Sequence, residues 1–371
     1  MVPTSIRFAD TPPCVTSGAP LANCTTLRLG GVAQYAAEAY SEHEVFAVLD
    51  WASRVGVPVT VLGAGSNMVV SDKGVQGLVL LLKTQRVEYV GATGVVADAG
   101  ANWDQLVRQC CERRLWGVEL LAGIPGTVGA APVQNISAYG QRISDALVSV
   151  RAFDLVNKAI VVLDRSACGF GHRTSVFKRL PGRWLILNVT LNLRRTSPRE
   201  GRLQHEVRRE LAGLPRTPAE VRLAVLAVRQ RKSMLADPTD QNARSVGSFF
   251  VSPHMTLANA RATVAHGVRT GVITSGVDIP IANVGSGMYC VPGGWMIERV
   301  GYRRGYQHGA VGLSARHALA LVNCGNGSTQ ELLELAIAIQ TKVMAGFGIR
   351  LVPEAVFAGE GCELSRALWG H

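Results

Sequence analysis

The sequence predicts an α+β fold in two parts, on three observations. Segments of strand character far outnumber amphipathic helices between residues 21 and 195. An arginine-rich stretch without clear periodicity then interrupts the pattern from Arg194 to Arg216. Helical periodicity resumes at Thr217, and a long amphipathic helix lies near the end of the chain. The expected organisation is a flexible extension over 1–20, a first domain over 21–195, a linker over 196–216 and a second domain over 217–371. A chain of 371 residues is long enough to bury a core in each part.

Pro12-Pro13 and Pro20 mark residues 1–20 as loosely held, and Asn23 to Gly31 reads as a short strand or loop. Ser41-Glu42-His43-Glu44 has the form of a capping box, and Val45, Val48, Leu49 and Ala52 continue it at helical spacing as far as Gly56. Strands follow at Val57–Leu62, Met68–Val70, Gly77–Leu82, Val87–Val90 and Gly94–Ala99. Asn102 caps a helix that stops before Gly117. Further strands are expected at Leu147–Leu155, Ala159–Leu163 and Trp184–Leu193. In the second part, Thr217-Pro218-Ala219-Glu220 opens a helix to about Lys232, with proline at its first position. Then come a helix at Trp295–Val300, strands at Gly309–Leu313 and Ala318–Asn323, a helix at Ser328–Ala345, and a last strand, Ile349–Phe357, that carries Glu354. No internal repeat or low-complexity tract is present.

Nearly half the residues are hydrophobic and fewer than a fifth are charged, which places the chain among globular proteins. The net charge of +11 comes mostly from scattered arginines, with no basic block interleaved with aromatics. That distribution favours small acidic ligands such as phosphates over nucleic acid. The eight cysteines show no Cys-x-x-Cys spacing and no zinc pattern with histidine, so no metal is expected and the thiols read as reduced and mostly buried. With no secretion signal and no membrane span, the expectation is a cytoplasmic monomer.

Two glycine-rich segments carry the chemistry. Leu121 to Gly140 holds four glycines, two prolines and the pair Gln134-Asn135 with no sustained period, a composition that presents backbone. The second, Gly63-Ala64-Gly65-Ser66-Asn67, follows a strand but leads into strand residues Met68-Val69-Val70. A dinucleotide-binding Rossmann turn must instead open a helix whose amino terminus holds the pyrophosphate. The alternatives are an anion-binding nest of converging N–H groups or an ordinary hairpin.

Five blocks in order resemble the UDP-N-acetylenolpyruvoylglucosamine reductase family. They are Gly63-Ala64-Gly65-Ser66-Asn67; Gly123 to Gly129 with Gln134-Asn135 and Ala138-Tyr139-Gly140; Phe170 to Lys178; Val246-Gly247-Ser248-Phe249-Phe250; and Val352-Pro353-Glu354. The resemblance spans roughly residues 21 to 360. It implies an FAD-binding region of two α+β subdomains, of the vanillyl-alcohol-oxidase type, followed by a smaller α+β substrate domain. It further implies that Gly63, Ala64, Gly65, Ser66 and Asn67, with Ile124, Pro125, Gly126 and Gly129, lie near the FAD pyrophosphate. Gln134, Asn135, Ala138 and Tyr139 would help seat the flavin. NADPH would reduce the flavin, whose N5 hydride would pass to C3 of the enolpyruvyl ether, with a proton added at C2 to give UDP-N-acetylmuramate for peptidoglycan synthesis.

In that chemistry Arg173 supplies a fixed cation for charge developing on the substrate, Ser248 the proton to C2, and Glu354 a proton relay or stabiliser. Taken singly, these residues read as a surface ion-pair partner, a turn residue and a strand-edge charge; their joint occurrence gives them roles. His172, Arg229, Lys232 and Ser252 are expected on the substrate side. The chain departs from the family pattern there: His172 replaces the usual tyrosine, Thr174 a frequent aspartate and Ser252 the usual asparagine. The tyrosine expected near Gln204-His205 is also not evident. These changes leave open a paralogue acting on a different enolpyruvyl ether. A flavin-linked oxidase would call for a longer cap domain and a histidine for covalent flavin attachment, and a non-catalytic basic binding protein for clustered charge.

Overall fold

The computed structural model describes residues 11–197, 204–211, 213–274 and 280–369. They divide into two compact units, the first holding residues up to 19, 33–65 and 75–236, the second 20–32, 66–74 and those from 237 onward. Residues 1–10 of the expected flexible extension lie outside the described residues, and Val15–Pro20 is a strand at the edge of a sheet.

The first unit contains two sheets. One has the order Val15–Pro20, Val32–Ala39, Val75–Leu82, Val59–Leu62, with the last three strands parallel. Parallel neighbours need a crossover, and Glu42–Val55 supplies a helix for it. Ser41 accepts the Glu44 N–H at 3.2 Å, while the Glu44 carboxylate takes the Tyr40 N–H at 2.6 Å, one residue earlier than in a standard capping box. Gly56, at φ +75°, ends the helix. Val45, Val48, Trp51 and Ala52 face inward, and the run Leu78–Leu82 is buried throughout, as a strand covered on both faces requires.

The other sheet is antiparallel, ordered Ala159–Asp164, Leu147–Asp154, Trp184–Asn192, Gly94–Asp98, Val87–Val90. Its neighbouring helix, Trp103–Glu112, is capped by Asn102, which accepts the Gln105 N–H at 2.9 Å. That helix buries Trp103, Leu106, Val107, Cys110 and Cys111. All eight cysteines are free; Cys14, Cys24, Cys324 and Cys362 are only partly buried. Burial pushes the Cys110 thiol up to about 12, so it packs as a small apolar group.

The division between the units does not fall at 196–216. The helix Pro218–Arg231 buries Val221, Ala224, Val225 and Val228 in the same core as Trp103 and Leu106, so the first unit runs on to Ala236. Part of the arginine-rich stretch is itself helical, His205–Glu210, anchored by the fully buried Val207. A single apolar side chain among charges gave no period to read.

The second unit also takes two segments expected in the first domain. Leu27, Leu29 and Val69 share its core with Phe249, Met296 and Phe347. Met68–Val70 pairs in parallel with Val356–Ala358. The long helix, Thr329–Phe347, starts with the Ser328/Glu331 capping box, and the Asp72 carboxylate accepts the N–H groups of Thr329 and Gln330 at 2.8 and 2.9 Å. A carboxylate there suits the positive end of the helix dipole. The helix Leu257–Arg269 was not foreseen because its buried face consists of Ala260, Thr263 and Gly267. At Gly267 a Cβ would come within 2.7 Å of Ile273, so the small face is what lets the helix pack. The expected strand Ile349–Phe357 is two short strands, Val352–Pro353 and Val356–Ala358, with Glu354 between them. Among the described residues no helix is long and apolar enough to cross a membrane, and no three His, Cys, Asp or Glu side chains could hold a metal.

Arg151 binds the Glu42 carboxylate through both guanidinium nitrogens, at 2.6 and 2.8 Å, tying the first helix to strand Leu147–Asp154. The Arg151 hydrogen bonds hold the Glu42 carboxyl below its ordinary 4.5. A depressed carboxyl contributes stability above its unfolded pKa and loses it as the pH falls through the folded one. Glu42→Gln should therefore lower the melting temperature slightly at pH 7, since the pair is partly solvated. The difference from the unaltered protein should close as the pH drops below 4.5, followed by thermal unfolding across pH.

Candidate functional site

In the first unit the glycine-rich segment lies along residues 99–104. Val128 and Gly129 donate N–H groups to the carbonyls of Ala101 and Ala99 at 2.8 and 2.9 Å, and the Trp103 N–H goes to Gly126 O at 3.1 Å. The approach is close: a Cβ on Gly129 would sit 2.6 Å from that of Ala99. The Asp104 carboxylate takes the Gly123 N–H at 2.6 Å and the Arg222 guanidinium at 2.6 Å. Gly63, from the other glycine turn, belongs to the same place. A Cβ there would meet Thr127 Oγ1 at 3.1 Å and Ala130 Cβ at 3.3 Å. Gly63, Ala64 and Gly65 belong to the first unit with Ile124, Pro125, Gly126 and Gly129, and Gly63 meets that segment at Thr127 and Ala130, while Ser66 and Asn67 belong to the second.

Arg229 is buried, contrary to what its place on a charged helix suggested. One guanidinium nitrogen donates to Met234 O at 2.7 Å, the side chain hydrogen-bonds Tyr139, and Nε has no partner among the described residues. That Nε is 3.2 Å from where a Cβ on Gly123 would project. Burial lowers the Arg229 pKa, and the nearby Arg173 adds to the effect. Burial also raises the Tyr139 phenol, against the pull of Arg229. A half-buried tyrosine and two guanidiniums make this a place for an anionic or carbonyl-rich ligand.

Lys232 pairs with Glu206 at 2.6 Å, and Arg231 with Glu210 at 2.8 Å. Both acids lie on the short helix His205–Glu210 and were not identified from sequence, where one apolar position among six residues leaves no signal.

Gly171-His172-Arg173-Thr174 forms a tight turn, in which the Gly171 N–H meets Thr174 O at 3.0 Å. Arg173 holds a left-handed backbone at φ +53°, and His172 is exposed. Asn135, also left-handed at φ +48°, donates through its side chain to Gly171 O at 3.0 Å and accepts the Ser144 N–H at 3.2 Å. Ser175 hydrogen-bonds Val133 O and caps the following turn of helix. Gln134 and Ala138, either side of Asn135, are half-buried.

In the second unit Phe250–Val251 pairs antiparallel with Val352–Pro353, and the Glu354 N–H donates to Phe249 O at 2.7 Å. Ser248 precedes one strand of this pair by two residues, and Glu354 directly follows the other. Glu354 is only 7% exposed. Asn67 reaches the same segment: its side chain donates to Glu354 O at 3.4 Å and its carbonyl accepts the Val356 N–H at 2.9 Å. Ser252 accepts the Gly293 N–H at 3.1 Å, at the start of helix Gly293–Arg299.

A family model for an FAD binding domain matches residues 33–162, and one for the C-terminal domain of UDP-N-acetylenolpyruvoylglucosamine reductase matches residues 237–358. The UDP-N-acetylenolpyruvoylglucosamine reductase of Thermobifida fusca is 40% identical over 347 residues, covering 92% of this chain and 97% of that protein. The Streptomyces coelicolor protein of the same name is 38% identical over 350 residues, covering 92% and 89%. Among solved structures, the UDP-N-acetylenolpyruvylglucosamine reductase of Thermus caldophilus shares the fold, with a TM-score of 0.61 and 24% identity over 93% of this chain and 98% of that one.

A branched side chain at Gly63 would press on the Thr127 and Ala130 side chains, which a Cβ alone already meets at 3.1 and 3.3 Å. Gly63→Val should leave a folded protein that purifies with less than about a tenth of the flavin carried by the unaltered chain, read from visible absorbance per chain. Full flavin retention would show that this contact does not shape the binding cradle.

Proposed function

Because the chain belongs to the UDP-N-acetylenolpyruvoylglucosamine reductase family, we propose that it reduces the enolpyruvyl ether of UDP-N-acetylglucosamine to UDP-N-acetylmuramate, using FAD and NADPH. The observation that supports the mechanism is the short strand pair Phe250–Val251/Val352–Pro353, which Ser248 and Glu354 flank in the second unit. Relatives of that name match nearly the whole chain, so nothing favours a paralogue with another substrate.

FAD fits the residues of the first unit. A Cβ at Gly63 would crowd Thr127 and Ala130, and the buried Arg229 keeps an Nε–H that no described protein group accepts. The segments Gly63–Asn67 and Ile124–Gly129 would hold the pyrophosphate through backbone N–H groups, with Gln134, Ala138 and Tyr139 against the ring. When bound, FAD supplies the hydride that reaches C3 of the substrate.

The chain's own residues do the rest. Arg173 holds the substrate carboxylate through two hydrogen bonds and stabilises the negative charge that develops beside it. Ser248 Oγ gives its proton to C2, completing saturation of the double bond, and regains one from the Glu354 carboxyl. Lys232, released from Glu206, would meet the substrate phosphates, and His172 in the first unit and Ser252 in the second would each serve as a substrate contact. The scattered arginines and a nucleotide-sugar substrate fit a cytoplasmic monomer that engages neither nucleic acid nor membrane.

Anaerobic mixing of FAD-loaded protein with NADPH should bleach the flavin, and adding UDP-N-acetylglucosamine enolpyruvate should restore its colour. Bleaching without recovery would reject this substrate. Ser248→Ala should keep the bleaching step and slow the recovery by roughly 10²- to 10⁴-fold, the range of a positioned proton transfer. An equal loss in both steps would remove Ser248 from the proton path.

A further inference from the structure

The side chain of Asn135 is spent inside the protein. It is 2% exposed, which leaves it no face to offer a ligand, even though it lies in the glycine-rich segment that the family resemblance assigns to the flavin. Both ends of its amide are used. Nδ2 donates to Gly171 O at 3.0 Å and Oδ1 accepts the Ser144 N–H at 3.2 Å, so the two partners fix which end is which. Gly171 is the first residue of the turn that presents Arg173, and its carbonyl also accepts the Thr174 N–H at 3.5 Å, a long bond that closes the turn weakly.

Arg173 is strained in that turn. A left-handed backbone at φ +53° costs a non-glycine residue of order 1–2 kcal/mol. Strain of this kind persists only where the surroundings over-determine the conformation. Here they do so at both ends of the turn. Asn135 grips Gly171, and Ser175 Oγ grips Val133 O, two residues before Asn135. The segment 133–135 therefore clamps the turn 171–175 from both sides. The residue type at 135 matches its backbone, since asparagine tolerates the left-handed region better than other residues with a side chain.

We propose that Asn135 is a positioning residue for Arg173: its buried amide fixes the Gly171–Thr174 turn and so sets where the guanidinium meets the substrate. The proposal rests on the functional reading above and deepens it. Asn135 acts on substrate reduction through Arg173 and leaves cofactor binding alone.

Asn135→Asp is the informative change. Aspartate also accepts the left-handed backbone and keeps an oxygen for Ser144, but it presents a second oxygen, and no donor, to the Gly171 carbonyl. Flavin content and FAD affinity, measured by fluorescence quenching on adding FAD to the stripped protein, should stay within about threefold. Flavin reoxidation at saturating enolpyruvyl substrate should fall roughly ten- to a hundredfold, the scale set by a buried carbonyl left unpaired. In an Arg173→Ala background the same change should cost nothing further, because two residues acting as one unit are not additive. Tryptic cleavage after Arg173, scored by mass spectrometry against cleavage after the exposed Arg54, should also rise as the turn loosens.

A fall in FAD affinity that matches the loss of rate would make Asn135 a flavin contact and overturn the proposal. So would multiplying losses in the double variant, or unchanged cleavage at Arg173. If the unaltered protein is not reoxidised by the substrate, the functional reading fails, while the cleavage assay still decides whether Asn135 holds the turn. Should Asn135→Asp not fold, Asn135→Gly keeps the left-handed backbone while deleting both hydrogen bonds, and carries the same measurements.

Discussion

The first unit's site depends on the contact of backbone with backbone between Gly129 and Ala99. The two main chains come this close only because Gly129 has no side chain to clash with the Ala99 methyl, and the N–H of Gly129 then reaches Ala99 O at 2.9 Å. That contact lays residues 122–136 along one line of support. Trp103 Nε1 takes Leu121 O at 3.0 Å and Asp104 takes the Gly123 N–H at 2.6 Å, so a segment with no secondary structure of its own becomes as fixed as a strand. From its far end Asn135 reaches the Arg173 turn. The glycine-rich segment and the Arg173 turn thus share one support.

Charge burial around this segment follows one rule with one exception. Glu119, 1% exposed, accepts the Gly117 N–H at 2.6 Å and Gln141 Nε2 at 3.3 Å; Asp104 has Arg222 and Gly123. A buried charge that keeps such partners is tolerated, whereas one without them costs several kcal/mol. Arg229 is the exception: it has a carbonyl and a phenol, no carboxylate bonded to it, and an idle Nε. A buried guanidinium without an acidic partner suits an acidic ligand.

Much of this was legible in the sequence, and the failures have a common cause. Ser41, Asn102, Thr217 and Ser328 announced their helices because a cap is a local hydrogen bond between residues a few positions apart. The glycine turn at 63–67 could be separated from a Rossmann turn because the strand Met68–Val70 follows at once. By contrast, the burial of Arg229, the Glu206–Lys232 pair and the use of Asn135 depend on which segments meet in space. No period or cap encodes that. The helix Leu257–Arg269 escaped for a related reason, since its contacts are made by alanine, threonine and glycine, which carry no hydrophobic contrast.

The same distinction explains the domain boundary. A change of composition near residue 196 looked like a linker, yet unit membership is decided by whose core a segment completes. Val225 and Val228 complete the first core, and Leu27, Leu29 and Val69 the second. The second unit is consequently drawn from three stretches of chain, and it needs hydrogen bonds between them to cohere. Thr26 Oγ1 to Ser245 O at 2.6 Å, Asn323 Nδ2 to Leu27 O at 3.0 Å and Asp72 at the start of the helix Thr329–Phe347 are those bonds. The strand Met68–Val70, the next stretch after the glycine turn, pairs with Val356–Ala358, so Asn67 lies against Glu354. Glu354 is held from two directions: its N–H donates to Phe249 O, and its own carbonyl accepts the Asn67 side-chain amide at 3.4 Å. Side-chain type alone could nominate Glu354; these backbone bonds are what fix its position.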